Sequence, residues 1–352
     1  MGSLTSMYHR MLLPAALLFL IQCSPTQAPV PELHELSLLS VVEQLPPELV
    51  NRLAKAPAAN GALGLNKDGY FHVRFQISLA ANAAYAVYFR EPTAVESVAK
   101  SIAYSFTHQK PDGDFEIQVP ASLQSFGTPS PADLASGTAF FGSALASTLH
   151  LLDQSAWFKS LSQPGKQLID SQRQSVQRMT DWLKGQSEVL MQVDHRAANR
   201  LLWDAHCFFG LGVYLEDATA KELGEEFLRA ALQRQTSAGY FTENEGFDSS
   251  YNGVSLLMGL QLYTLLPPGQ LKRDLGAALV RAAEWQKSRI LPSGEITTAG
   301  NTRVFPGGEQ FLGAEKNVAW VDTVQAFYWL AILTDSPEAY RGFAEKIRSY
   351  YE

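Results

Sequence analysis

Four short segments share one form, and their recurrence restricts the fold more than any other feature of the chain. They are Asp68-Gly69-Tyr70-Phe71, Asp112-Gly113-Asp114-Phe115, Ala238-Gly239-Tyr240-Phe241 and Ser293-Gly294-Glu295-Ile296. Each sets a small or acidic residue before a glycine and an apolar anchor two residues after it. The last three follow helical stretches that end in Gln109, Gln235 and Gln286. Glycine reaches the positive φ needed to leave a helix, and the apolar anchor then pins the loop to the core. The glycines at 113, 239 and 294 fall about one or two helical hairpins apart, the mark of a repeated helix-turn-helix unit.

Apolar periodicity supplies the helices. Segments 74–90, 93–108, 136–152, 166–189, 197–215, 218–235, 250–265, 270–289, 318–333 and 336–351 follow the 3.6-residue period and meet at polar turns, giving ten helices or five hairpins. Residues 32–59 read as one or two shorter helices interrupted at Pro46-Pro47. Sustained apolar-polar alternation is missing from the sequence, so the expected class is all-α. A hydrophobic fraction of 46% with only 18% charged residues is enough to fill one core, and residues 34–352 are expected to form a single domain. The formal charge of -7 argues against a nucleic-acid partner and against binding to an acidic membrane surface.

The first residues carry Arg10, an apolar run over 11–21 and the polar break Gln22-Cys23-Ser24-Pro25. That layout matches a secretory signal over 1–22 and is too short to span a bilayer. Cys23 directly after the run resembles the acylated cysteine of a bacterial lipoprotein, with Leu20 in keeping and Gln22 a departure from the usual small residue. Residues 23–33 would then be lipidated cysteine and tether, in an envelope protein held to the membrane by lipid alone. Cleavage near Ala28 without a lipid is the alternative. The other cysteine, Cys207, lies in an apolar stretch and reads as a small buried hydrophobe, so no disulfide framework is expected.

Helix, glutamine, glycine and apolar anchor in this order resemble the α/α-toroid superfamily, which includes alginate-lyase-like and heparinase-like polysaccharide lyases and toroid glycoside hydrolases. The resemblance covers roughly residues 70–350 and implies an incomplete α/α toroid of about five hairpins. It also implies a central cavity lined by inner helices and entered where long loops precede their N-termini.

That geometry ranks the loops 109–135, 189–197, 236–250 and 291–318. The 236–250 loop and its helix offer Tyr240, Glu243, Glu245, Asp248, Tyr251 and Asn252 as a sugar-binding rim, with Asp248 equally readable as a helix N-cap. Asp194-His195-Arg196 leads to Asn199, Arg200 and Trp203, and Arg200 is alternatively a helix partner of Asp204. The glycine-rich loop 300–309 carries Arg303 and ends in Glu309, and it leads through Lys316-Asn317 to Trp320, Asp322 and Tyr328. By analogy with toroid lyases, Asn199 or Arg200 would neutralise a uronate carboxylate, His195 or Tyr251 would remove the C5 proton, and Tyr251 would protonate the leaving oxygen. Asp322 is a further acid-base candidate. Trp203, Trp320, Tyr240, Glu243, Glu245, Asp248, Asn252 and Arg303 are the expected substrate contacts. No metal motif, phosphate loop or Gly-x-Ser-x-Gly elbow is present in the sequence, and no cofactor is expected.

The expectation is therefore a carbohydrate-active envelope lipoprotein whose partner is a polysaccharide or oligosaccharide, read as a lyase on a uronate-containing glycan. A glycoside hydrolase with a carboxylate pair from Glu243, Glu245, Asp248, Asp204 and Asp322, or a non-catalytic glycan binder, are the alternatives.

Overall fold

A computed structural model describes residues 32–127 and 129–352. The signal segment, Cys23 and most of the tether lie outside the described residues.

Fifteen α-helices account for most of the described chain. Two short ones come first, α1 (Leu38–Val42) and α2 (Pro47–Leu53), separated at Pro46-Pro47 as the prolines require. Then follow α3 (Leu79–Tyr88), α4 (Pro92–Thr107), α5 (Pro131–Gln154), α6 (Ala156–Ser160), α7 (Pro164–Asp170), α8 (Arg173–Gly185) and α9 (Ser187–Asp194). The remainder are α10 (Ala198–Leu215), α11 (Ala218–Gln233), α12 (Ser249–Leu265), α13 (Gln270–Ser288), α14 (Trp320–Leu333) and α15 (Pro337–Tyr351). Among the described residues the only paired strands form one hairpin, β1 (Gln310–Phe311) against β2 (Ala314–Glu315). No described helix is long and apolar enough to cross a membrane.

The helices fall into two rows. In the first row α3 packs on α5, α5 on α10, α10 on α12 and α12 on α14. Its longer members α5, α10, α12 and α14 are buried on nearly every side, as their even spread of Ala, Gly, Leu and Phe requires. The second row is amphipathic: α4 packs on α3, α11 on α10, α13 on α12 and α15 on α14, each burying one stripe. Small residues let the first row close up. A Cβ on Gly142 would meet the buried Cys207 sulfur at 2.4 Å, so α5 and α10 touch almost backbone to side chain there. Burial pushes the Cys207 thiol well up, in keeping with a packing role.

The glycine repeat is what links one hairpin to the next. Gly113, Gly239 and Gly294 have φ of 101°, 102° and 99°. Each lies against a carbonyl of a later amphipathic helix, Arg178 in α8, Arg281 in α13 and Lys346 in α15, so that an added Cβ would sit 2.1, 2.6 and 2.1 Å from that oxygen. Gln109 fastens the first of these turns by donating to Gly113 O and Ser175 O at 3.3 and 2.9 Å. Gln235 fastens the second by donating to Gly239 O and Ala278 O at 2.8 and 2.7 Å. The turn at Gly294 differs from expectation, because the position equivalent to Gln109 and Gln235 is Ile290, which pairs with Ile296. Gln286 lies one turn earlier, buried, and bonds Ser249 O and Asn252 instead.

Two expected helices are shortened. Segment 74–90 begins with a tight 3-10 turn over Val73–Gln76, and α3 starts only at Leu79. Segment 166–189 is divided into α7 and α8 at Ser171-Gln172.

Candidate functional site

The long loops converge on the starts of α10, α12 and α14, and two carboxylates hold them. Asp248 caps α12: one oxygen accepts from Ser250 N and Tyr251 N at 3.0 and 3.1 Å. Its other oxygen accepts from Arg303 N and Val304 N at 3.0 and 2.8 Å, fixing the glycine-rich loop to the same helix end. Glu243, completely buried, accepts from Asn199 N at 3.0 Å and Asn199 Nδ2 at 2.7 Å. Its second oxygen accepts from Arg303 Nη1 at 2.9 Å.

Arg303 also forks onto Glu309, with Nε to Oε2 and Nη2 to Oε1 both at 3.1 Å. The guanidinium carbon stands 4.0 Å from the centroid of the Tyr251 ring. The β1-β2 hairpin sets Lys316 opposite Glu309, since Lys316 N donates to Glu309 O at 3.0 Å. Lys316 Nζ then donates to Glu309 Oε1 and to the Tyr251 hydroxyl, both at 2.8 Å. Tyr251 passes its own proton toward Glu309 Oε2 at 3.0 Å.

In front of this network lies a cleft of about 560 Å³ lined by Arg196, Arg200, Thr302, Arg303, Phe305 and Glu309. Arg200 is steadied by a 2.8 Å ion pair to the buried Asp194. Arg74 approaches from the loop before α3, its guanidinium 5.4 and 5.3 Å from the Phe140 and Phe311 rings. A chain of net charge -7 thus sets Arg74, Arg303 and Lys316 near one tyrosine and Arg196 and Arg200 along the adjoining cleft.

The titration of these groups reflects the crowding. Burial and the neighbouring Arg200 lower Arg74. Burial lowers Lys316 despite its bond to Glu309. Burial raises Tyr251, and Glu309 adds to the rise against the opposing pull of Arg303. Burial would raise Glu309 as well, but the bonds from Lys316 and Arg303 prevail and hold it at about 2.

The expected site residues separate into three groups. Arg200, Tyr251 and Arg303 belong to the cleft and its wall. Glu243, Asp248, Asn199 and Asn252 are buried scaffold: Asn199 is engaged by Glu243, and Asn252 donates to Ala282 O and Gln286. The rest lie elsewhere, and these are corrections. His195 is exposed beyond the end of α9, its Nδ1 donating to Gln192 O at 2.6 Å, and lines a separate hollow with Glu188 and Leu223. Tyr240 packs edge-on into Phe247 and against Trp285, and Trp320 stacks on Tyr351 beneath Arg52. Glu245 is exposed at a tight turn with φ 69°. Trp203 and Asp322 line a second, apolar chamber one turn further along their helices. Asp204 is buried beside Asp194, with burial first and that neighbour second driving its carboxyl well up.

Glu309 and Lys316, present at the end of the glycine-rich loop and just after it without an expected role, and Arg74, not among the expected residues, complete the cluster. Arg74 had a signal: its loop follows the first glycine repeat and precedes a first-row helix, the same rule that ranked the other loops. No protein-family model matches the chain, and no curated protein matches it.

Proposed function

We propose that the two rows of helices form an incomplete α/α toroid and that the cationic cleft is the active site of an envelope polysaccharide lyase acting on a uronate-containing glycan. The toroid reading is supported by the sequential packing α3, α5, α10, α12, α14 and by a chamber to which all five contribute. The lyase reading rests on one observation, the Tyr251 hydroxyl held between Lys316 and Glu309 with the Arg303 guanidinium over its ring.

In β-elimination the C5–H and C4–O4 bonds break, a C4=C5 double bond forms, and the departing oxygen takes up a proton. Arg200 and Arg196, facing the cleft, suit the uronate carboxylate and the negative charge that spreads onto it as C5 loses its proton. Tyr251, raised by its surroundings, is suited to give its proton to the leaving oxygen. Lys316, lowered and bonded to that hydroxyl, takes the part of base that His195 is too distant to play, receiving the C5 proton once deprotonated. A hydrolase needs one carboxyl kept protonated beside another. Glu309, held ionised by Lys316 and Arg303, offers no such acid, and Glu243, though raised by burial, is engaged in the wall by Asn199 and Arg303 and does not line the cleft.

The test is a panel of uronate-containing and neutral glycans, read by ultraviolet absorbance of unsaturated products and by reducing ends. Unsaturated product that falls at least about a hundredfold in Tyr251→Phe, with melting unchanged, is the expected result. Reducing ends without unsaturation would replace the lyase by a hydrolase, and saturable binding without turnover would leave a glycan-binding protein.

A further inference from the structure

Beneath the cleft lies a chamber of about 410 Å³ that elimination does not use. α10 supplies both: Arg200 lines the cleft, Trp203 one turn on lines the chamber, and the lining changes from cationic to apolar. Leu38 and Val42 of α1, Leu45 of the turn after it and Leu53 of α2 contribute another wall, and Trp329 and Met258 complete it. Among the lining residues Asp322 alone carries a charge. No described group hydrogen-bonds or pairs with its carboxylate apart from its own backbone amide. Asp322 is half-buried, so its carboxylate is open to a chamber whose lining is otherwise uncharged, and a cation seated there would give it the partner it lacks.

We propose that this chamber is a second binding site, for an apolar molecule carrying one protonated amine that pairs with Asp322. Trp203 and Trp329 line the same chamber, where an indole is a favourable neighbour for a cation, and the leucine walls take the apolar body. At a share of ~30 Å³ for each water-sized group, the volume suits a ligand of roughly a dozen heavy atoms. The site is independent of the lyase reading, because none of its lining residues lines the cleft.

The test is calorimetric titration of the purified protein with n-octylamine, n-octanol and octanoate, with indole fluorescence as a second readout. Octylamine is expected to bind about ten- to a hundredfold more tightly than octanol, the worth of one charge-assisted contact, and octanoate more weakly still. Asp322→Asn should remove the preference for the amine while keeping the affinity for octanol. Ala81→Phe, which fills the chamber without touching Asp322 chemistry, should abolish binding of both. Tyr251→Phe should bind octylamine as the parent does. Equal affinity for amine and alcohol, no saturable binding, an amine preference that survives Asp322→Asn, or binding that survives Ala81→Phe would each overturn the proposal.

Discussion

Arg303 lies over the face of Tyr251 at 4.0 Å while its nitrogens hold Glu243 on one side and Glu309 on the other. One side chain therefore joins the buried scaffold to the working surface of the cleft. The carboxylate of Glu243 is completely buried, and among the described residues Arg303 supplies its only positive counter-charge. Arg303→Ala should leave that charge uncompensated and cost about 3–5 kcal/mol in urea denaturation. Arg303→Lys keeps the charge but loses the fork, so it should cost less while still loosening the Glu309 contact. A loss below about 1 kcal/mol for Arg303→Ala would show that the network does not support the fold.

The glycine repeat makes a graded prediction. Gly239→Ala meets both a left-handed backbone and the Arg281 carbonyl, so it should cost about 2–4 kcal/mol by thermal or chemical denaturation. Gly69, in the first copy of the repeat, also has positive φ, 79°, but an added Cβ there meets nothing within 4 Å. Gly69→Ala should then cost only the backbone strain of about 1–2 kcal/mol. Equal costs at the two positions would mean that contact with α13 adds nothing to the turn.

Helix positions were legible because apolar spacing and capping chemistry agree along most of the chain. The expected 197–215 and 250–265 became Ala198–Leu215 and Ser249–Leu265, the second started by the Asp248 cap. The site was legible as a region and much less as a set of side chains. Glu243 and Glu245 are two residues apart in one loop, yet one is buried against Arg303 and the other is in solvent. No period orders a loop, so nothing in the sequence separates them. Asn199 and Arg200 are adjacent on a helix that turns about 100° per residue, which sends one to the scaffold and the other to the cleft. The β1-β2 hairpin, which pairs Glu309 with Lys316, rests on two-residue strands too short to leave an alternating pattern.

Glu309 ties stability to acid. Its folded carboxyl is held at about 2 against an ordinary 4.5, so its contribution is fully present above about pH 4.5 and is lost as pH falls toward 2. Allowing for its partial exposure, about 1–2 kcal/mol should go over that window. Glu309→Gln should be less stable than the parent at pH 7 and should lose less between pH 5 and 3. Parallel melting curves for the two proteins over that range would contradict the assignment.

Asp322 has the opposite sign. Burial in the apolar chamber raises its carboxyl from 3.8 to about 6, so folding favours the protonated acid. The contribution is greatest below about pH 3.8 and is lost as pH rises through 6, where the folded chain must hold a bare carboxylate. A two-unit shift corresponds to ~3 kcal/mol, and solvent admitted to the chamber reduces the expected effect to about 2 kcal/mol. Asn at this position keeps the shape and never ionises. Asp322→Asn should therefore melt higher than the parent at pH 8, by several degrees, and the two curves should converge near pH 4. A ligand amine that pairs with the carboxylate should erase the difference at pH 8 by stabilising the parent alone. If Asp322→Asn is instead less stable than the parent at pH 8 without ligand, the carboxylate has a partner and the chamber is not poised to receive a cation.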